Sequence, residues 1–159
     1  MRTAGIRLVR RPYEEPHSLH LVLSADNGVL VGCLEFYCNA SDLKDVGEAL
    51  RVFPKGVPDK YSYELGAPRP HGNWAYHLAL RAYTHDRSGH CALQVIMDNN
   101  RDMPKEEACR FSIEAEPAAI NRLGRLLLEF AKLKHHELIW TVAGEGDSLL
   151  ETESTGNST

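Results

Sequence analysis

With 159 residues, 43% of them hydrophobic, the chain is long enough for one domain with a real core. Its formal charge of −4 comes from the tail, because Glu145, Asp147, Glu151 and Glu153 are the only charges after residue 143 and the preceding body is formally neutral. A neutral body gives no electrostatic argument for nucleic-acid binding, which needs a clustered basic surface, and no nucleic-acid partner is expected.

Residues 5–10 alternate and predict a short strand, with Ile6 and Leu8 against Arg7 and Val9. Leu19, Leu21 and Leu23 alternate with His20 and Val22. Asp26-Asn27-Gly28 then supplies a turn that needs positive φ, so a hairpin returns from Val29 to Cys38. Leu30, Leu34, Phe36 and Cys38 are the face expected in the core, and Val31, Cys33, Glu35 and Tyr37 the other. Asn39 or Ser41 caps a helix reaching about Phe53. Asp42 and Asp45 suit its first turn, and Leu43, Val46, Leu50 and Phe53 form its buried stripe. Tyr61, Tyr63 and Leu65 mark a further strand, and Gly66 to Asn73, with Pro68 and Pro70, is a loop.

Trp74, Tyr76, Leu78, Leu80 and Ala82 share one face of a long strand, as do Cys91, Leu93, Val95 and Met97 of the next. The two pair antiparallel around His85–Ser88. A register with Thr84 opposite Gly89, Leu80 opposite Leu93 and Leu78 opposite Val95 brings the apolar faces together. Cys109, Phe111 and Ile113 form one face of the next strand. Pro117 opens a helix whose stripe is Ile120, Leu123, Leu127 and Phe130, and Gly124 is expected to let it sit close to the sheet. His135 and His136 are expected to end this helix, where imidazolium suits the free carbonyls. Leu138-Ile139-Trp140 forms a last strand or a patch docked under a helix. The expected organisation is one domain over residues 1–143 and a disordered acidic tail over 144–159. The element order predicts an α+β fold, an antiparallel sheet of about six to eight strands with two amphipathic helices packed on one face. No repeat of fixed period is visible, although both halves end strand-then-helix.

The motifs carry little chemistry. A HExxH motif starting at His136 would need histidine where Trp140 stands. His85, Asp86 and His90 flank the hairpin loop without another fixed ligand, so no metal is expected. Gly144-Glu145-Gly146 lacks the strand–turn–helix context of a dinucleotide loop, and no serine sits in a GxSxG elbow. His90 and Cys91, adjacent in a strand, point apart. No catalytic residue and no cofactor are therefore expected. Cys33, Cys38, Cys91 and Cys109 show no CxxC spacing and are expected as small buried hydrophobes. No run approaches the ~18 apolar residues of a membrane span, and no signal peptide is visible, so a cytoplasmic protein with free thiols is expected. Arg7, Arg10 and Arg11, like Arg122, Arg125, Lys132 and Lys134, are expected on solvated faces.

The strand CLEFYCNA, the helix SDLKDVGEALRVF, the hairpin DRSGHCALQV and the ending FSIEAEPAAINRLGRLLLEF together resemble the WapI-like immunity proteins of bacterial polymorphic toxin systems, over roughly residues 19–134. The resemblance implies a cytoplasmic protein that binds and blocks a toxin domain. It carries over no functional residue. The near-neutral body departs from the acidic surface expected of nuclease inhibitors, so the toxin need not be a nuclease.

The expected activity is therefore that of a non-catalytic protein-binding module. If both helices cover one sheet face, the opposite face carries His77, Arg81, Tyr83, His90, Gln94, Arg110 and Ser112, with small Ala79 and Ala92 between them. Arg81 and Tyr83 are the expected centre of a protein interface, since Arg and Tyr are favoured anchors. Arg69 and His71, on the proline-restricted loop, are a second expected contact. The alternative is a small-ligand-binding protein or enzyme with a pocket beside the Pro68–Asn73 loop.

Overall fold

The computed structural model describes residues 2–12, 15, 18–69 and 74–151. Among them the chain order is β1 (Gly5–Arg10), β2 (Leu19–Asp26), β3 (Val31–Cys38), α1 (Ala40–Arg51), β4 (Lys60–Gly66), β5 (His77–Thr84), β6 (Cys91–Asp98), β7 (Ala108–Glu114), α2 (Pro117–Phe130), β8 (His135–Thr141) and β9 (Ser148–Glu151). The class is α+β, as the element order predicts, with the helices packed against sheet. The strands form two antiparallel sheets rather than one, in the orders β3-β2-β1-β8-β9 and β4-β5-β6-β7. Both sheets turn their apolar faces to one core, where Leu21, Leu93, Leu123, Phe130 and Trp140 are fully buried.

The chain is an internal duplication that its residue pattern hides. β1-β2-β3-α1-β4 and β5-β6-β7-α2-β8 have the same order, and each half gives its last strand to the other's sheet: β8 pairs with β1, and β4 with β5. The registers match. Leu8 faces Leu23, which faces Leu34; correspondingly Leu80 faces Val95, which faces Phe111. The turns after β2 and β6 open alike. Gly28 N–H donates to Asp26 Oδ1 at 2.7 Å, and Asn100 N–H donates to Asp98 Oδ1 at 2.8 Å. Gly28 and Asn100 both have positive φ, 96° and 50°. The periodicity is broken because residues 99–107 form a longer connection than residues 27–30. The two halves therefore share their order of elements but no constant spacing along the chain.

The helices meet where each half places a glycine. Gly47 and Gly124 are each the eighth residue of their helix. A Cβ on Gly124 would stand 2.3 Å from Arg51 N and 2.7 Å from Gly47 O. The glycine expected to admit α2 to the sheet thus admits it to α1. Around this crossing Leu43, Val46 and Leu50 of α1 match Ile120, Leu123 and Leu127 of α2, and all are buried. Asn121 donates to Leu50 O and Phe53 O at 2.9 and 2.6 Å, closing the carbonyl end of α1 from α2.

Other expectations shift. β5 starts at His77, so Trp74 lies outside the strand and is exposed. The β5–β6 register differs by two residues, with Thr84 opposite Cys91, Leu80 opposite Val95 and Leu78 opposite Met97. His85 N–H bonds His90 O at 2.8 Å, which lengthens the connection. A shift of two keeps every side chain on its face, so Leu80 and Leu93 still point inward. His135 and His136 begin β8 instead of ending a helix. Arg10 is 4% exposed, bonding His135 O, Leu133 O and Glu15. Arg122 holds Asp147 and Thr141 O, both at 2.5 Å. Part of the segment expected as a disordered tail, Ser148–Glu151, enters the five-stranded sheet as β9, and residues 152–159 lie outside the described residues.

Leu127→Ala is expected to cost about 2–5 kcal/mol in chemical denaturation, as large-to-small core changes do. Gly124→Ala is expected to cost about 1–3 kcal/mol despite alanine's better helix propensity, because the helices must move apart. A neutral or stabilised Gly124→Ala variant would disprove this crossing.

Candidate functional site

The outer face of the four-stranded sheet, β4-β5-β6-β7, is the site to which the helices give access by covering the other side. Alternation along β5 sends Leu78, Leu80 and Ala82 inward, and His77, Ala79, Arg81 and Tyr83 outward. Arg81 Nη1 donates to Gln94 Oε1 at 3.3 Å, and its guanidinium lies 3.9 Å from Glu64. Tyr83 Oη and Ser112 Oγ are 2.9 Å apart. Ala79 and Ala92, both at most 1% exposed, form the floor. Lys60, Ser62, Arg81, Tyr83 and Gln94 border a depression of about 280 Å³.

The expected contact residues are only partly assembled. Arg81 and Tyr83 share this face, and the Arg81 side chain is 39% exposed. His77 is on the same face but buried at 6%, with Nε2 2.6 Å from Glu64 Oε1. It braces Glu64 and is closed to a partner. His90 lies in the β5–β6 connection, linked to Tyr83 through His85 by ring separations of 6.5 and 6.0 Å. Arg69 lies in a different concavity, its Nη1 2.6 Å from Asp102 Oδ1. His71 is outside the described residues. Lys60, Ser62 and Glu64 join the face because β4 pairs with β5. Sequence reasoning missed them for want of that pairing, although their polar alternation with Tyr61, Tyr63 and Leu65 was a usable signal.

Beside Arg69, an open groove of about 520 Å³ runs between Trp74 and residues 99–105. Asn100, 5% exposed, donates to Ala67 O and Trp74 O at 2.9 and 3.0 Å, tying the two loops together. The cavity at the edge of the core is about 60 Å³ and lined chiefly by aliphatic side chains, with Cys38, Asp42 and Tyr63 along its wall. Tyr63 Oη donates to Asp42 at 3.0 Å, and burial is the main cause pushing both the Tyr63 phenol and the Cys38 thiol up, the thiol to about 12.

No protein-family model, curated protein or solved structure matches the chain. Among the described residues no group of three or more His, Cys, Asp or Glu is placed to hold a metal ion, and no helix is long and apolar enough to cross a membrane.

Asp86, 2.6 Å from the His90 ring, raises the histidine pKa, first by its hydrogen bond and then by its charge, both of which favour the protonated ring. The same contact holds the Asp86 carboxyl below its ordinary value. The pair's contribution through His90 is present below the ordinary histidine pKa and is lost as pH rises through the raised folded value. An NMR titration is expected to place His90 above free histidine, and Asp86→Asn to lower it; an unmoved His90 would show that the contact is not populated. The thiols give a second check. Cys33 is exposed, Cys38 and Cys91 are buried, and Cys109 is half-buried. A disulfide reagent is expected to label Cys33 rapidly in the folded protein and all four cysteines only after denaturation.

Proposed function

We propose that the chain is a non-catalytic protein-binding module of the immunity type, which engages a toxin domain through the outer face of the four-stranded sheet. One observation carries the reading: Arg81 and Tyr83 are held by Gln94, Glu64 and Ser112 above a floor of alanine backbone and methyl groups. Such anchors lose little side-chain freedom on binding, which is where association free energy is otherwise lost. The core cavity of about 60 Å³ is well below the ~300–1,000 Å³ of typical small-molecule pockets, so the interior favours packing over ligand capture.

A second reading, small-ligand binding, is favoured by the groove beside Arg69, whose size of about 520 Å³ lies within that range. Its openness to solvent makes it the weaker host, since small-molecule sites bury most of their ligand.

The test is capture of a toxin domain by the tagged protein, followed by the Arg81→Ala, Tyr83→Ala double substitution. A loss of about 2 kcal/mol or more in affinity, with the melting temperature unchanged, is expected if these two are the anchors. Unchanged affinity would remove this face as the site. Turnover of a substrate in a broad hydrolase or transferase screen would overturn the non-catalytic reading itself.

A further inference from the structure

The two halves of the duplication differ at one edge. In the five-stranded sheet, the far edge of β8 is covered by β9, with Leu138 opposite Leu149 and Ile139 opposite Ser148. In the four-stranded sheet, the equivalent strand β4 is the edge, with no strand beyond it among the described residues. Burial records the difference. Leu138 and Trp140 on β8 are 0% exposed, while Tyr63 and Leu65, at the matching positions of β4, are only half-buried.

The hydrogen-bond phase of this edge is set by the hairpin. Thr84 N–H donates to Asp59 O at 3.0 Å, so residues 59, 61, 63 and 65 direct their backbone groups to β5. Lys60, Ser62 and Glu64 direct theirs outward. The Lys60 N–H is held by Asp59 Oδ1 at 2.8 Å. The remaining outward groups, the carbonyls of Lys60, Ser62 and Glu64 and the N–H groups of Ser62 and Glu64, point away from β5 on residues that are themselves exposed, with no strand beyond them among the described residues.

We propose that this edge is completed by a second copy of the chain, β4 pairing antiparallel with β4 about a two-fold axis at Ser62. Among antiparallel registers, only this one engages all three outward residues in narrow hydrogen-bonded pairs. Ser62 exchanges both bonds with the partner's Ser62, and Glu64 N–H donates to the Lys60 carbonyl opposite, twice by symmetry. These four bonds form without displacing Asp59. The same register sets Lys60 across from Glu64 on the outer face, again twice, and Tyr61 across from Tyr63 on the inner face. Opposite charges and aromatic pairs directly opposed are the favourable cross-strand combinations. The interface is isologous, as two-fold dimers require. It joins two four-stranded sheets into one continuous sheet, which would carry two Arg81–Tyr83 faces side by side. The occupant is chosen by self-complementarity: β4 carries Lys60 and Glu64 at the spacing that this register sets across from each other, so a second copy satisfies both charge pairs at once.

Sedimentation equilibrium of the whole protein over a wide concentration range tests this. The wild type is expected to associate reversibly to a dimer. Lys60→Glu and Glu64→Lys each place like charges opposite each other at two points and are expected to weaken association roughly tenfold or more. An equimolar mixture of the two variants restores both opposite-charge pairs, so heterodimers are expected at wild-type strength. Ser62→Pro removes the central donor, whose N–H faces away from β5, and is expected to abolish association while leaving the melting temperature in place. A wild type that stays monomeric to millimolar concentration would overturn the proposal. So would dimers that persist in both single charge variants, or a mixture that associates no better than its components.

Discussion

The fold hangs on the close approach of two helix backbones. Where Gly47 meets Gly124, a single methyl group on Gly124 would stand 2.3 Å from Arg51 N. Only glycine on both sides allows the helices to come so near. That contact fixes the distance between the two halves, because each helix carries the buried stripe of its own half, Leu43–Val46–Leu50 or Ile120–Leu123–Leu127. The exchanged strands then close the arrangement. β4 cannot leave its sheet without abandoning β5, nor β8 without abandoning β1, so neither half has a complete sheet alone. Cooperativity across the whole chain follows from this mutual dependence.

A duplicated scaffold permits its halves to diverge at equivalent points. Where α1 and β4 place Asp42 and Tyr63, α2 and β8 place Ala119 and Leu138. In the second half, Trp140 fills the interior and donates to Ala119 O at 2.9 Å. There Arg122 and Asp147 pin the chain so that β9 can lie against β8. In the first half, polar groups line the core edge and β4 is left bare. The first half thus keeps its surface available, and the second spends the same positions on stability.

The outer face of the four-stranded sheet combines order with access. Its side chains are tied to one another and not to the interior: Arg81 to Gln94 and Glu64, Glu64 to His77, Tyr83 to Ser112. Small residues below them keep the face shallow. The outer face of the five-stranded sheet is held mainly by ion pairs, Arg7 with Glu137 and Arg11 with Glu35, which saturate its charge locally.

Period-two alternation made the strands, and with them the inward sets Leu78–Leu80–Ala82 and Leu93–Val95–Met97, legible in the sequence, because strand geometry alone sends alternate side chains to opposite faces. The 3–4 spacing did the same for both helix stripes, and Asp26-Asn27-Gly28 for the first hairpin, because these are local consequences of backbone shape. Half of the candidate face was legible for the same reason: Arg81, Tyr83, Gln94 and Ser112 were assigned correctly once their strands were. What the sequence by itself could not decide was which strands pair over long separation. The pairing of β4 with β5 brought Lys60, Ser62 and Glu64 to the face, buried His77 and made the duplication visible. The burial of Arg10 and the docking of β9 were equally tertiary, since each rests on partners far along the chain, His135 O for one and Arg122 for the other. Periodicity reports the face on which a residue stands, and only the packed chain decides what stands opposite it.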